Sequence, residues 1–245
     1  MAARVNNVTL EEYMEKHIWG RLGMTEMTFY PSKKASVKQK LVDMSLRDAG
    51  LTMFRTTNNP EAKVKYTDET VWSHDTIHCH GGIGCYGNVI QYQHLLHSIC
   101  TDDGQLLKTS TIDQMFQNHL TPEGHTAFNL ARQIPEINNI FGGDPPEMTC
   151  SHGFGGLLNE TSIPGRAANT LSWGGLPNLL WFIDRNAGIS GSKSIQPRSA
   201  LYSTTPLLKI TLVIATQIIP PGDPKVIELY RAWKVELYKK AGIEL

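Results

Sequence analysis

Residues 172–188 read Ser-Trp-Gly-Gly-Leu-Pro-Asn-Leu-Leu-Trp-Phe-Ile-Asp-Arg-Asn-Ala-Gly. The apolar residues form two short runs, one ending at Trp173 and one over 179–183, and turn-forming residues follow each run. Short apolar runs bounded in this way predict β-strands. The segment 184–188, Asp-Arg-Asn-Ala-Gly, predicts a hairpin turn after the second strand. A further strand is expected over 154–158.

Signals for the start of a helix lie on both sides of this strand region. Thr9-x-x-Glu12 is a capping box, in which the two side chains each satisfy a free backbone N–H. Asn88 is placed to cap a second helix. Near the carboxyl end, Asp223 caps a third helix, whose first residue Pro224 has no N–H to satisfy.

The order of these elements predicts a single α+β domain over 1–245, with helices packed against an antiparallel sheet. We divide it into a helical part over 1–120, a connection over 121–150, and strands with a terminal helix over 151–245. The 245 residues, 40% of them hydrophobic, are enough for one globular domain with a substantial core.

The net charge and the length of the longest apolar stretch exclude some classes of protein. With 23 basic and 23 acidic residues the formal net charge is zero, so we expect no nucleic-acid partner. The longest apolar stretch, 207–219, is interrupted by polar residues and is too short to span a membrane. We expect a cytoplasmic protein without a signal peptide, with its four cysteines reduced.

The densest cluster of potential metal ligands lies between residues 74 and 85. Zinc sites combine one closely spaced ligand pair with a second pair elsewhere in the chain, and no second pair follows here. The glycines at 81, 82 and 84 precede a helix but lack the lysine and hydroxyl residue of a P-loop. We therefore expect neither a metal nor a cofactor, and interpret 81–84 as a structural turn. The cluster comprises His74, His78, Cys79, His80 and Cys85.

Ser190-Gly-Ser-Lys193 has the spacing of an S-x-x-K motif. At the start of a helix this spacing puts serine and lysine on one face, where the amine can help to remove the serine proton. Glycines flank the serine, and no helical periodicity follows before Pro197. We interpret the match as a coincidence and keep Ser190 with Lys193 as an alternative nucleophile and base.

Taken in order along the chain, these segments resemble the β-lactamase-like serine hydrolase and transesterase family, which is related to class C β-lactamases. The closest likeness is to fungal lovastatin-type acyltransferases that esterify polyketides. Gly153-Phe-Gly-Gly156 and the stretch 172–188 are similar to the family's third motif and terminal strands. The remaining segments of the resemblance are 10–29, 80–97, 104–116, 215–217 and 220–224.

The resemblance implies a partial β-lactamase or penicillin-binding-protein fold and acyl transfer on small esters or thioesters. Such enzymes use a serine in S-x-x-K, a tyrosine in Y-x-N, and an oxyanion hole that takes one backbone N–H from the third-motif strand. Only that strand carries over to this sequence, as Trp173, Gly174 and Gly175 with Leu176 beside them. Glycine suits this place because a side chain would block the approach of the substrate.

Two departures from the family pattern affect the expected activity. The S-x-x-K helix and the Y-x-N loop precede, in the family, the segment where this chain begins, so we expect a carboxy-terminal part that is inactive alone. About twenty extra residues, 192–213, interrupt the terminal strands as an unusual loop or a translated intron. The alternatives are an active hydrolase using Ser190 and Lys193, and a non-catalytic partner of an intact homologue that pairs through an exposed sheet edge.

Overall fold

The computed structural model describes residues 1–47, 59–68, 74–75, 78–193 and 211–244, with the backbone alone for 191–193 and 211–214. In the first range the Thr9 side chain accepts a hydrogen bond from the N–H of Glu12, and the Glu12 carboxylate accepts one from the N–H of Thr9, which confirms the predicted capping box.

The first part of the chain consists of short elements. They are α1 (Ala2–Asn6), α2 (Leu10–Met14), a π-helical turn (Glu15–Trp19), a 3-10 turn (Gly20–Leu22), β1 (Met27–Thr28), another 3-10 turn (Pro31–Lys33) and α3 (Ala35–Lys38).

Strands also occur inside the part predicted to be helical. They are β2 (Met44–Arg47), β3 (Val64–Thr67), antiparallel to β2, and β4 (Tyr86–Gly87), antiparallel to β1. The part over 1–120 that we describe as helical thus also contains these short strands. These strands are short, and their hydrogen-bond partners lie far away in the sequence, so their local periodicity is weak.

Four helices follow β4. Asn88 caps the first of them, accepting hydrogen bonds from the N–H groups of Ile90 and Gln91, as predicted. The connection expected over 121–150 contains two helices. The start of the first is marked by residues close together in the sequence, because the Thr121 hydroxyl accepts a hydrogen bond from the N–H of Gly124 and Pro122 takes the first helical position. The helices are α4 (Val89–Thr101), α5 (Thr109–Met115), α6 (Pro122–Ala131) and α7 (Pro135–Ile140).

A six-stranded sheet occupies the carboxy-terminal part. Its order is β10-β9-β8-β7-β6-β5, antiparallel throughout except that β10 runs parallel to β9. The turn over 184–188 joins β8 to β9, as predicted. The expected insert 192–213 begins within β9 and ends within β10, and its remaining residues, 194–210, lie outside the described residues. The strands are β5 (Cys150–Gly153), β6 (Gly156–Asn159), β7 (Leu171–Gly175), β8 (Leu179–Asp184), β9 (Ile189–Lys193) and β10 (Thr211–Ile214).

Helices cover both faces of this sheet, because strand side chains alternate between the two faces. On one face α4 and α5 pack against buried residues that include Leu158, Leu171 and Ile183. On the other, α8 (Pro224–Lys240) packs against Leu180 and Phe182. The sandwich of helices and a mainly antiparallel sheet confirms the predicted α+β class.

The last helix begins as the sequence predicts. The Asp223 carboxylate accepts a hydrogen bond from the N–H of Val226 at 3.0 Å, and Pro224 occupies the first position. Just before it, β11 (Ile218–Ile219) pairs in parallel with β2, giving a three-stranded sheet in the order β11-β2-β3. Within the described ranges, no helix combines the length and apolar character needed to cross a membrane.

The outer edge of β5 is covered by a side chain that acts as a strand partner. The Asn129 amide donates to the carbonyl oxygen of Cys150 and accepts from its N–H, both at 2.8 Å. We expect Asn129→Ala to lower the free energy of unfolding by about 1–3 kcal/mol, because both backbone groups lose their partner. Urea denaturation measures this loss. Thr126→Ala, an exposed position on the same helix, is the control, and equal effects of the two changes would contradict the assignment.

Candidate functional site

The predicted third-motif residues form the end of β7, where the sheet is paired on one side only. β7 pairs with β8 along its whole length, from Leu171↔Ile183 to Gly175↔Leu179. Its pairing with β6 ends at Ser172↔Leu157. Residues 173–175 therefore have one edge without a β6 partner, which we call the open edge. Backbone groups alternate between the two neighbours of a strand, so at least one N–H of these residues faces the open edge.

The open edge exists because the β5–β6 hairpin turns back at this level. Its last pair is Gly153↔Gly156. A Cβ on Gly153 would collide with the carbonyl oxygen of Met115, so the chain approaches α5 more closely there than any other residue type allows. At the tip of the hairpin, the Phe154 side chain is 52% exposed.

The two glycines of the third motif differ in what the fold requires of them. A Cβ on Gly174 would lie 2.7 Å from Cδ2 of the buried Leu180, so packing explains this glycine. A Cβ on Gly175 would find its nearest neighbour, Cβ of Leu179, at an ordinary 3.7 Å. Neither glycine has a positive φ. Packing against Leu180 therefore accounts for glycine at 174, whereas no close contact requires glycine at 175.

Aromatic rings surround Trp173, which is 38% exposed. The ring of Phe141 lies 5.4 Å from that of Trp173, and the imidazole of His152 lies 5.3 Å away in an edge-on arrangement. Phe128 contacts Phe141 in turn, with ring centroids 5.4 Å apart. We call these four residues the aromatic cluster. Its tryptophan and phenylalanine rings form an apolar surface next to the open edge, suited to an apolar group of a ligand.

A buried ion network holds the segment that carries Phe141. The Asp144 carboxylate pairs with Arg166 and, at 3.1 Å, with Lys234, and all three residues are buried. Arg166 also donates to the hydroxyl of Ser172 in β7 at 2.7 Å. Burial alone would raise the pKa of Asp144, but the charges of Arg166 and Lys234 outweigh it and hold that pKa below its ordinary value. The network therefore links the Phe141 segment, β7 and α8.

The turn after β7 is tied to the start of α8 by one side chain. Leu176, half-buried, begins this turn, and Asn178 is buried at its end. The Asn178 amide donates to the carbonyl oxygens of Ile218 and Pro220, each at 2.7 Å, and accepts from the N–H groups of Gly222 at 2.8 Å and Asp223 at 3.2 Å. The position of Gly175 thus depends on the loop 218–223.

Ser190 lies in β9 and its side chain is only 2% exposed. The S-x-x-K mechanism needs serine and lysine three residues apart on one face of a helix. The backbone over 189–193 is extended, so the structure lends no support to Ser190 and Lys193 as nucleophile and base.

A literal Y-x-N also occurs in this chain, at Tyr86-Gly87-Asn88. Asn88 caps α4 and donates to a carboxylate oxygen of Glu26 at 2.6 Å. The Tyr86 ring stacks on that of His74 with centroids 5.2 Å apart. The asparagine thus serves the start of a helix, and both motif residues lie in β4 or immediately after it.

The suspected metal ligands have other contacts. His74 stacks on Tyr86, and Sγ of Cys79 lies 3.1 Å from the hydroxyl of Tyr30. His80 and Ile83 form a bridge across the predicted glycine turn. Among the described residues, no group of three or more histidine, cysteine, aspartate or glutamate side chains is placed to hold a metal ion. None of the four cysteines is in a disulfide.

Comparison with known proteins identifies relatives with one shared chemistry. No protein-family model matches the sequence. The chain is 33% identical over 194 residues to lovastatin esterase of Penicillium rubens, covering 79% of this chain and 46% of that protein. It is 29% identical over 192 residues to monacolin J acid methylbutanoyltransferase of Aspergillus terreus, covering 77% and 44%. A variant of simvastatin synthase from Aspergillus terreus superposes with a TM-score of 0.78 at 27% identity, covering 98% of this chain and 52% of that one.

The chain therefore spans about half the length of the relatives it matches. The superposition covers nearly all of this chain, so the predicted partial β-lactamase-like fold is confirmed. The sequence similarity and the shared fold lead to the same assignment. This chain belongs to the β-lactamase-like serine hydrolase and transesterase family, alongside the fungal lovastatin-type acyltransferases and esterases.

Proposed function

We propose that this protein provides the oxyanion strand and the apolar wall of an acyl-transfer site for small esters of secondary metabolism. The single observation that supports the proposal is the open edge. There a backbone N–H and Gly175, which no packing contact requires to be glycine, lie beside the partly exposed Trp173. An N–H there can stabilise the negative oxygen that develops when an ester carbonyl is attacked.

The aromatic cluster supports an apolar substrate. Trp173 is partly exposed and flanked by Phe141 and His152, so an apolar acyl or ring system can pack against it without disturbing the core. The named relatives, an esterase and an acyltransferase, share the cleavage or formation of an ester bond. We infer the same bond type for this protein, with a secondary-metabolite ester as its substrate.

The nucleophile, in this proposal, comes from outside this chain. Acyl transfer of this type needs a serine activated by a neighbouring base, and the S-x-x-K spacing at 190–193 lies in a strand. We therefore expect the chain to bind esters and to have no turnover by itself. A non-catalytic role beside an intact homologue is the second candidate, because the same open edge could pair with another chain.

The first test combines a chromogenic ester with a covalent probe. The purified chain is incubated with p-nitrophenyl butyrate and a fluorophosphonate, while hydrolysis and intact mass are followed together. We expect neither turnover nor an adduct, because the proposal takes the nucleophile from outside this chain. One adduct per chain with serine-dependent turnover would refute the missing nucleophile, and Ser190→Ala would then show whether that serine is responsible.

The second test asks whether the open edge binds the ester. Valine at position 175 has room for its Cβ, and its two methyl groups add bulk at a residue of the open edge. We expect Gly175→Val to weaken binding of a non-hydrolysed ester analogue about tenfold or more, which corresponds to about 1.4 kcal/mol, with an unchanged melting temperature. Calorimetric titration and thermal unfolding measure the two effects.

Gly174→Ala is the matched control for this substitution. Its Cβ meets the side chain of Leu180, so we expect a lower melting temperature there, with a cost of about 1–3 kcal/mol. If Gly175→Val bound the analogue as tightly as the unaltered chain does, the open edge would not be the ester site.

A further inference from the structure

His152 lies beside the open edge without belonging to the third motif. It is the third residue of β5 and pairs across the sheet with Leu157 of β6. Its imidazole meets Trp173 at 5.3 Å with an interplanar angle of 77°, and its side chain is partly exposed. The imidazole therefore stands where the β5–β6 hairpin ends and the open edge begins.

The hydrogen bond at Nδ1 determines which nitrogen of His152 is available. Nδ1 lies 2.7 Å from the carbonyl oxygen of Gly153. A carbonyl oxygen can only accept, so Nδ1 carries the hydrogen of the neutral ring. Nε2 then holds a lone pair and is a hydrogen-bond acceptor. Among the described residues, none provides a donor to this Nε2.

The backbone around His152 is held in place, so the ring is oriented before any ligand arrives. Its carbonyl oxygen accepts from the N–H of His119 at 2.9 Å, which ties β5 to the segment after α5. The next residue, Gly153, packs so closely against the carbonyl of Met115 that no side chain fits. An oriented acceptor loses little entropy when it binds a donor.

Two other imidazoles on this side of the molecule have their distal nitrogens engaged. Nε2 of His119 lies 2.8 Å from the carbonyl oxygen of Gln114, and its ring stacks on Phe154 with centroids 3.8 Å apart. Nε2 of His125 lies 2.9 Å from the carboxylate of Glu160. His152 differs from both, because its acceptor nitrogen is next to an apolar surface and remains available to a ligand.

We propose that Nε2 of His152 accepts a hydrogen bond from the hydroxyl group of the alcohol that gains or loses the acyl group. This inference rests on the proposed function. An ester carbonyl needs donors, which the open edge supplies, whereas an alcohol also needs an acceptor for its O–H. An acceptor at this position makes the site selective for a hydroxylated apolar ligand over the same skeleton without a free O–H.

The test compares an alcohol with its methyl ether. We titrate the chain calorimetrically with decahydro-2-naphthol and with the corresponding methyl ether, in which a methyl group replaces the hydroxyl hydrogen, so that His152→Phe is needed to separate the lost donor from the added bulk. The unaltered chain should bind the alcohol about tenfold more tightly than the ether, since one hydrogen bond to an otherwise unpaired acceptor is lost. His152→Phe should bind both with equal affinity, and His119→Phe should keep the preference.

The imidazole nitrogen resonances of the unaltered chain give a second measurement that needs no variant. The alcohol should shift the ¹⁵N resonance of His152 Nε2, and the ether should leave it in place. A preference that persists in His152→Phe, or an unshifted resonance under saturating alcohol, would overturn the inference. Equal binding of both ligands to the unaltered chain would overturn it too and leave the proposed function standing. Binding of neither would refute both.

Discussion

Replacing Asp144 with leucine is expected to lower the free energy of unfolding by about 3–5 kcal/mol, the largest effect of any substitution proposed for this chain. Asp144 is the only carboxylate paired with the buried Arg166 and Lys234 among the described residues. Without it two buried cations lose their counter-charge, and burial already lowers the pKa of Lys234. A buried charge without a partner costs far more free energy than a surface pair contributes.

Urea denaturation measures the loss, with Glu61→Gln as the control. That substitution breaks the exposed pair between Glu61 and Lys225 and should change stability by about 0.5 kcal/mol or less. Asp144→Asn separates charge from shape, because it keeps the size of the side chain. A loss in Asp144→Leu no greater than that of the control would contradict the ion network as a main source of stability.

The same residue gives the stability a defined pH dependence. The pKa of Asp144 is lower in the folded chain than in the unfolded one. Its contribution is therefore complete above the unfolded pKa of about 4 and is lost as the pH falls through the folded value. The difference in stability between the unaltered chain and Asp144→Asn should shrink on acidification below about pH 4.

Asn178→Ala is expected to have the second largest effect, about 2–4 kcal/mol. The substitution removes four hydrogen bonds and leaves the carbonyl groups of Ile218 and Pro220 without their donor. Asn178 also has a φ of 55°, in the left-handed region that disfavours alanine. Thermal unfolding measures the total loss, and ester binding should weaken with it because the turn after Gly175 is released.

Asn178→Gly separates the two contributions to this loss. Glycine tolerates the positive φ and lacks the amide, so it should be more stable than alanine by about 1 kcal/mol and still less stable than asparagine. Hydrogen exchange gives a local measurement, because the N–H groups of Gly222 and Asp223 lose their acceptor in both variants. Unchanged protection of those two amides would show that Asn178 does not hold the loop.

The sequence predicted the structural features that depend on residues three or four positions apart. The Thr9 capping box, the Asn88 cap and the Asp223–Pro224 start of α8 all form as expected. The strand over 179–183 and the turn over 184–188 also form close to where they were predicted, whereas the strand that follows the turn, Ile189–Lys193, was not predicted. These features are local, because the side chain and the backbone group that it satisfies are adjacent in the chain.

Of the candidate site, the sequence predicted only the residues that are consecutive in the chain. The resemblance indicated Trp173, Gly174 and Gly175 as the oxyanion strand, and this assignment stays a prediction that the open edge supports. Nothing in the local pattern distinguished Gly175 from Gly174, because the difference comes from the distance to Leu180 and Leu179 on the next strand. The segment Phe141-Gly-Gly-Asp144 was interpreted only as a connection, although it supplies both an aromatic wall and the buried carboxylate.

Sequence alone thus determined the starts of α2, α4 and α8, the α+β class and the family, because each depends on local pairs or on the order of motifs. The tertiary structure decided the rest. It brought Asp144 to Arg166 and Lys234, His152 to Trp173, and Asn178 to the loop before α8. The residues in each of these contacts are separated by about 20 to 90 positions. Their pairing depends on strand register and helix packing, which no local periodicity records.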